Sequence, residues 1–147
     1  MRVLATVGLG LLAGALLTEA VVLVPYWRSI PNQAFSRLHD GVAPRLYAYF
    51  APLTIAAVLV AITSGAFATR SRPMAAADWL TLASAALAIS LLGFYRWYFE
   101  RAIRALPELA RLEDPAKLAT ELRRWQSIHT IRTGVCLASF LCAALAL

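Results

Sequence analysis

Arg123-Arg124-Trp125-Gln126-Ser127-Ile128-His129-Thr130-Ile131-Arg132 is the stretch where a polar segment passes into the last apolar run, and reading it as a helix entering a membrane decides the fold. It carries one of only two histidines in the chain. Residues three apart on a helix share a face, so His129 and Arg132 are expected to point into one space. Outward from this stretch, composition excludes an ordinary water-soluble domain. Of 147 residues, 61% are hydrophobic and the mean hydropathy is +0.67, which leaves too little polar material to cover a water-facing surface. The net charge of +6 does not point to nucleic acid, because a basic nucleic-acid binder gathers its charge on a solvated face. Here the arginines stand between apolar runs, which suits contact with the anionic headgroups of a lipid bilayer.

Apolar runs at residues 3–24, 46–68, 79–99 and 128–147 are each long enough to cross a hydrocarbon core of about 30 Å. The expected fold is an all-α integral membrane four-helix bundle, with residues 1–147 forming a single transmembrane domain. The first run continues through Thr18-Glu19-Ala20, the one place a signal peptidase could cut, so it reads as a span rather than a signal peptide. Pro25 is expected to end it. Between residues 26 and 45, Pro31, Asn32, Gly41 and Pro44 read as turn markers around a short interfacial helix carrying Phe35 and Leu38. Pro52 is expected to bend the second span or free a carbonyl there. Residues 69–78, with Arg70, Arg72 and Pro73, form a loop short enough to join only antiparallel neighbours. After the third span, Ile103, Leu106, Leu109, Leu112, Leu118 and Leu122 recur at helical spacing, broken at Asp114-Pro115. The third and fourth helices are therefore expected to extend beyond the bilayer as a helical hairpin over residues 100–127, turning near residues 113–115.

Four spans place both termini and the short loop on one side. The opposite side carries Arg28, Arg37, Arg45, Arg96, Arg101, Arg104, Arg111, Lys117, Arg123 and Arg124, against Arg2, Arg70 and Arg72. The positive-inside rule then makes this a multi-pass protein of a cell inner membrane with its two longer loops cytoplasmic. Cys136 and Cys142, six apart in the last run, read as small apolar fillers rather than a disulfide or a thiolate cage.

Glu19 is the anomaly of the first span. It lies roughly 7–8 Å below the interface at helical rise, so it is expected to face the bundle interior with a partner or a proton. His39, Glu100, His129 and Arg132 fall at the same end, while Asp78 stands almost alone at the other. One reading is structural: Glu19 and Arg132 form a buried ion pair, the histidines are hydrogen-bonding residues, and Trp27, Trp79, Trp97 and Trp125 anchor the span ends. Small residues at Gly8, Gly10, Gly14, Ala83, Ala86, Ala88 and Ser90 would then favour helix packing, within the chain, against a second copy or against a partner membrane protein. The other reading is a site. His129 takes and returns a proton, Glu19 orients it or shares the proton, and Arg132 holds an oxyanion or phenolate. Tyr95, Trp97, Tyr98 and Trp125 supply aromatic surface for a flat, apolar substrate. A metal set of Glu19, His39 and His129 for copper or iron is a further alternative, but no paired-histidine spacing supports it and no cofactor is favoured. A proton-coupled carrier ranks last, since four spans are few and no internal repeat is visible.

Val22-Leu23-Val24-Pro25 closing the first span, the Phe35 segment after it and Ala51-Pro52-Leu53 opening the second form a recognisable pattern. With Leu122-Arg123-Arg124-Trp125-Gln126-Ser127-Ile128-His129-Thr130-Ile131-Arg132-Thr133, it resembles the anthrone-oxygenase-like family of small four-helix membrane proteins over nearly the whole length. The chain departs from that pattern after the third span, where Arg96-Trp97-Tyr98-Phe99-Glu100 replaces the usual proline- and asparagine-containing segment. The resemblance implies oxygenation of polycyclic anthrones to anthraquinones without a bound cofactor. It implies His129 as the general base that deprotonates an acidic carbon or phenol, whose carbanion then reacts with dioxygen.

Overall fold

Pro25 does not end the first helix. In the computed structural model, which describes residues 1–70, 73–111 and 115–147, α1 (Arg2–Thr18) continues through a π-helical turn (Glu19–Leu23) into α2 (Val24–Ser29). Proline has no N–H and its ring clashes with the carbonyl four residues back. The π turn lengthens the hydrogen-bond step, with the Val24 N–H on the Glu19 carbonyl, and leaves Pro25 in the first turn of α2, where proline is tolerated.

The expected break over residues 26–45 shrinks to two residues. Ile30 and Pro31 are extended, as the residue before a proline prefers, and α3 then runs unbroken from Asn32–Ala68 with Pro44 and Pro52 inside it. An interior proline costs about 3 kcal/mol, but Phe35, Leu38 and Leu46 of this segment pack into the core, and burial of such side chains contributes about 1.5–3 kcal/mol each. Packing outweighs the local turn signals.

The third helix comprises α4 (Ala76–Phe94), a second π turn (Tyr95–Phe99) and α5 (Glu100–Arg111), and α6 (Pro115–Leu145) is the fourth. The expected turn at residues 113–115 falls mostly outside the described residues, as do Leu112 and Arg72. Segments Arg2–Ser29, Arg37–Ala68, Ala76–Leu109 and Ala116–Leu145 are each long and apolar enough to cross a membrane, so this is an all-α, multi-pass membrane bundle.

Its core has two parts. The inner part is made of small and aliphatic residues, including Leu9, Leu12, Leu16, Ala57, Ala61, Ala88, Leu91 and Cys136. Close helix approach is visible at Gly10, where a Cβ would meet the Phe140 ring at 3.0 Å. On α4 the packed positions are Thr81, Ser84, Ala85, Ala88 and Leu91, whereas Ala83, Ala86 and Ser90 face outward. The outer part is aromatic, with Trp27, Phe35, Tyr98, Phe99 and Trp125 alongside Leu106, Leu118 and Leu122 of the predicted stripe. Arg28 donates to Gln126, and Arg111 pairs with Asp40 at 2.8 Å, tying α2 to α6 and α5 to α3 around it. Glu100 pairs with Arg96 and Arg104 on the exposed face, as its four-residue spacing to Arg104 predicts.

Within the inner core, Ser84 and Ser139 exchange hydrogen bonds: each hydroxyl donates to the other residue's carbonyl at 2.8 Å, joining α4 to α6. Such interhelical bonds contribute about 0.6 kcal/mol on average and up to about 1.7 kcal/mol in membranes. Ser84→Ala with Ser139→Ala is therefore expected to lower stability by about 1–3 kcal/mol, readable in a denaturant titration of detergent-solubilised protein.

Asp78, expected to be nearly isolated, sits in a bonded cluster instead. Its carboxylate accepts from Arg2 Nη2 at 2.5 Å and from the Ala75 N–H at 2.9 Å, while Arg2 Nε donates to Thr81 Oγ1 at 3.1 Å. Arg2 was invisible as a partner in sequence because the contact joins residues 76 apart.

Candidate functional site

Glu19 opens the first π turn and is buried between the two parts of the core. One turn earlier, the Leu16 carbonyl faces His129 Nε2 at 3.1 Å. A carbonyl only accepts, so Nε2 carries the ring proton and donates it, which leaves Nδ1 as the lone-pair nitrogen of the neutral ring. That nitrogen is buried and has no hydrogen-bond partner among the described residues. The same Nε2 stands 3.9 Å from Glu19 Oε2, beyond hydrogen-bond length but within reach of its charge. His129 is fully buried, with its ring edge-on to Phe99 at 6.1 Å.

In front of this pair lies a cavity of about 220 Å³, lined by inner-core residues such as Leu91 and Phe50 and outer-core residues such as Trp27, Phe99, Leu106 and Trp125. Glu19 and Arg132 are the oppositely charged groups in its wall, and His39, Tyr47, Thr54 and Tyr95 add polar atoms around an otherwise apolar lining. The expected Glu19–Arg132 ion pair is not closed. Among the described residues Arg132 makes no ion pair, and its guanidinium lies over the Phe99 ring at 4.7 Å from the centroid, held by cation–π attraction. Phe99 belongs to the second π turn, so both π turns supply residues to one site, and such turns recur at functional sites.

The predicted site residues separate. Glu19, Arg132, Tyr95 and Trp125 line the cavity. His129 stands behind Glu19, so the shared face expected from its three-residue spacing to Arg132 does not deliver both side chains into the cavity. Tyr98 is buried against Trp125 and Phe99, under Arg124, and Trp97 is 64% exposed on the outer surface. The four tryptophans divide in the same way: Trp79 and Trp97 face outward, while Trp27 and Trp125 are core. The suggested metal set does not assemble either. No group of three metal-ligating side chains occurs among the described residues, and His39, also in the cavity wall, packs on the Phe35 ring at 5.6 Å.

Missed in sequence was the largest contribution to the wall, from α3. Leu38 and His39, Val42 and Ala43, Leu46 and Tyr47, Phe50 and Ala51, then Thr54 and Ile55 all line the cavity. These pairs recur at four-residue steps, the signature of one helix face. The signal was present, and the turn reading of Gly41 and Pro44 cut it in two.

Four spans around a lipophilic cavity that a carboxyl and a guanidinium both face define a small membrane protein with a polar point inside an apolar site. This chain belongs to the anthrone oxygenase family, whose family model matches residues 43–142. The matched stretch includes Ala51-Pro52-Leu53 and the whole segment around Trp125, His129 and Arg132; residues 22–25, Phe35 and Glu19 precede it. No curated protein and no solved structure matches the chain.

Proposed function

We propose that this protein is a membrane oxygenase that takes a flat aromatic substrate with an acidic C–H or phenol group from the bilayer into the cavity that all four long helices line. One observation carries the reading: in a chain of this family, a carboxyl and a guanidinium that makes no ion pair among the described residues face the same apolar cavity. An apolar cavity of roughly 150 Å³ holds benzene, so about 220 Å³ leaves room for more than one fused ring. The cavity end is assigned to the cytoplasmic side of an inner membrane by its excess of arginine.

The chemistry balances with the substrate as reductant and dioxygen as oxidant. A ring CH₂ loses one proton to the Glu19–His129 pair, and the electron pair stays on the substrate, delocalised onto an oxygen that Arg132 stabilises. The carbanion reduces dioxygen and forms a C–O bond, and the returned proton completes a hydroperoxide. Loss of the second C–H proton, with cleavage of the O–O bond, leaves a carbonyl and releases water. One CH₂ and one O₂ give one C=O and one H₂O, which makes the reaction an internal monooxygenation.

Protein in lipid nanodiscs is expected to consume one dioxygen per anthrone converted to anthraquinone. Ala51→Phe, which places a ring in the cavity, is expected to lower kcat/KM at least about tenfold with little change in Tm, since it fills existing space rather than packed core. Dioxygen uptake no faster than the protein-free rate would remove this reading.

A further inference from the structure

We infer that the Glu19 carboxylate, and not the His129 imidazole, takes the proton from the bound substrate, and that His129 is the positioning residue of that carboxylate; this rests on the oxygenase reading above.

Geometry separates the two groups. A general base must reach the proton it removes, at hydrogen-bond distance or through one water. Glu19 lies in the cavity wall, and His129 does not. The histidine's Nε2 is already committed to the Leu16 carbonyl at 3.1 Å and carries a proton there, so it has no lone pair to offer. Its remaining lone pair, on Nδ1, is enclosed and reaches no described polar group. That N–H points at the Leu16 carbonyl, and Nε2 stands 3.9 Å from Glu19 Oε2, beyond hydrogen-bond length. At that separation the ring exchanges no proton with the carboxylate and positions it through the α1 backbone that the bond to Leu16 holds.

The backbone supports the same assignment. The π turn begins at Glu19, and the Leu16 carbonyl that holds His129 lies three residues before it, so one hydrogen bond from α6 fixes the part of α1 from which the carboxylate projects. Arg132, in the same cavity wall and without an ion pair among the described residues, supplies the positive charge that a carboxylate at this depth requires. In the proposed step the substrate C–H bond breaks, its electron pair remains on the substrate beside Arg132, and the proton moves to a Glu19 oxygen. The same oxygen later returns it to the peroxide. Glu19 precedes the stretch matched by the family model, whereas His129 lies within it.

The test is hydrogen exchange in the absence of dioxygen, which reports proton removal without oxygenation. Full-length protein in nanodiscs is incubated anaerobically with anthrone in D₂O, and deuterium entering the CH₂ group is read by mass spectrometry above the protein-free rate. Wild type is expected to accelerate exchange. Glu19→Gln is expected to lose roughly 10²–10⁴ of that acceleration, with anthrone binding, followed by tryptophan fluorescence, changed less than about threefold. Glu19→Asp, which keeps the carboxylate but draws it back by one methylene, is expected to retain exchange at a reduced rate and covers the case in which the glutamine variant does not fold. His129→Gln, which still offers an N–H, is expected to stay within about tenfold of wild type, and His129→Leu to fall well below it in rate while binding anthrone as before. Undiminished exchange by a folded Glu19→Gln, or a loss in His129→Gln as large as that in Glu19→Gln, would overturn the assignment. Wild type that exchanges deuterium but consumes no dioxygen keeps Glu19 as the base and overturns the oxygenase reading. Wild type that does neither overturns both.

Discussion

Arg132→Gln is expected to lower kcat/KM for dioxygen-dependent oxidation of anthrone by roughly 10²–10³, the usual cost of removing one group that stabilises a developing oxyanion. The loss should fall mainly in kcat, because the negative charge that Arg132 meets appears only as the C–H bond breaks. Arg132 is suited to this role by what it does not touch. It makes no ion pair among the described residues, and its guanidinium rests over the face of Phe99 in the cavity wall, so no bond to a carboxylate has to break before it meets the developing oxyanion. Arg132→Lys should recover little, since an ammonium neither stacks on the ring as a plane nor offers a fork of donors. Stopped-flow oxidation with anthrone in nanodiscs measures both variants. An Arg132→Gln protein with wild-type kcat would exclude an oxyanion role for this residue.

Asp78→Ala is expected to give the largest loss of stability, about 2–4 kcal/mol, and a Tm lower by on the order of 5–15 °C. Two contributions combine. The carboxylate caps the start of α4 through the Ala75 N–H, and loss of such a cap costs about 1 kcal/mol. It also pairs with Arg2, and breaking a buried pair costs about 3–5 kcal/mol. The full sum is not expected, because the Arg2 side chain is 36% exposed and can turn to water and headgroups, while Asp78 is only 6% exposed. Asp78→Asn keeps an acceptor for the cap and should lose less. Thermal unfolding in detergent separates the three proteins. A Tm for Asp78→Ala equal to wild type would show that the cluster contributes nothing. Deuterium exchange into anthrone should be unchanged in Asp78→Ala below its Tm, since the cavity lies at the other end of the bundle.

The membrane class, the all-α fold and the number of spans were legible in the sequence because each depends on hydropathy summed over about 20 residues, where single exceptions average out. The family was legible for a related reason: Ala51-Pro52-Leu53 and the segment around Trp125, His129 and Arg132 are contiguous. The prolines were misread because their local cost was weighed without the packing that offsets it. A π turn absorbs Pro25, and burial of Phe35 and its neighbours carries α3 through Pro44. Once α3 is one helix, ten of its residues fall on a single cavity-facing stripe.

Hydropathy along the chain already gathers the chemically capable residues at one end of the bundle: Glu19, His129 and Arg132 by their depth in the spans, and His39 by its place between the first two. Which of them meet the cavity depends on how the helices pack. Helical spacing puts His129 and Arg132 on one face of α6, but a face is broad, and what each side chain reaches depends on the neighbour opposite. Leu16 offers His129 a carbonyl and turns it inward, Phe99 offers Arg132 a ring and leaves it in the cavity wall, and the π turn at Glu19 brings the carboxylate in beside it. Those neighbours come from two other helices, the first and the third, and no periodicity within one segment encodes them.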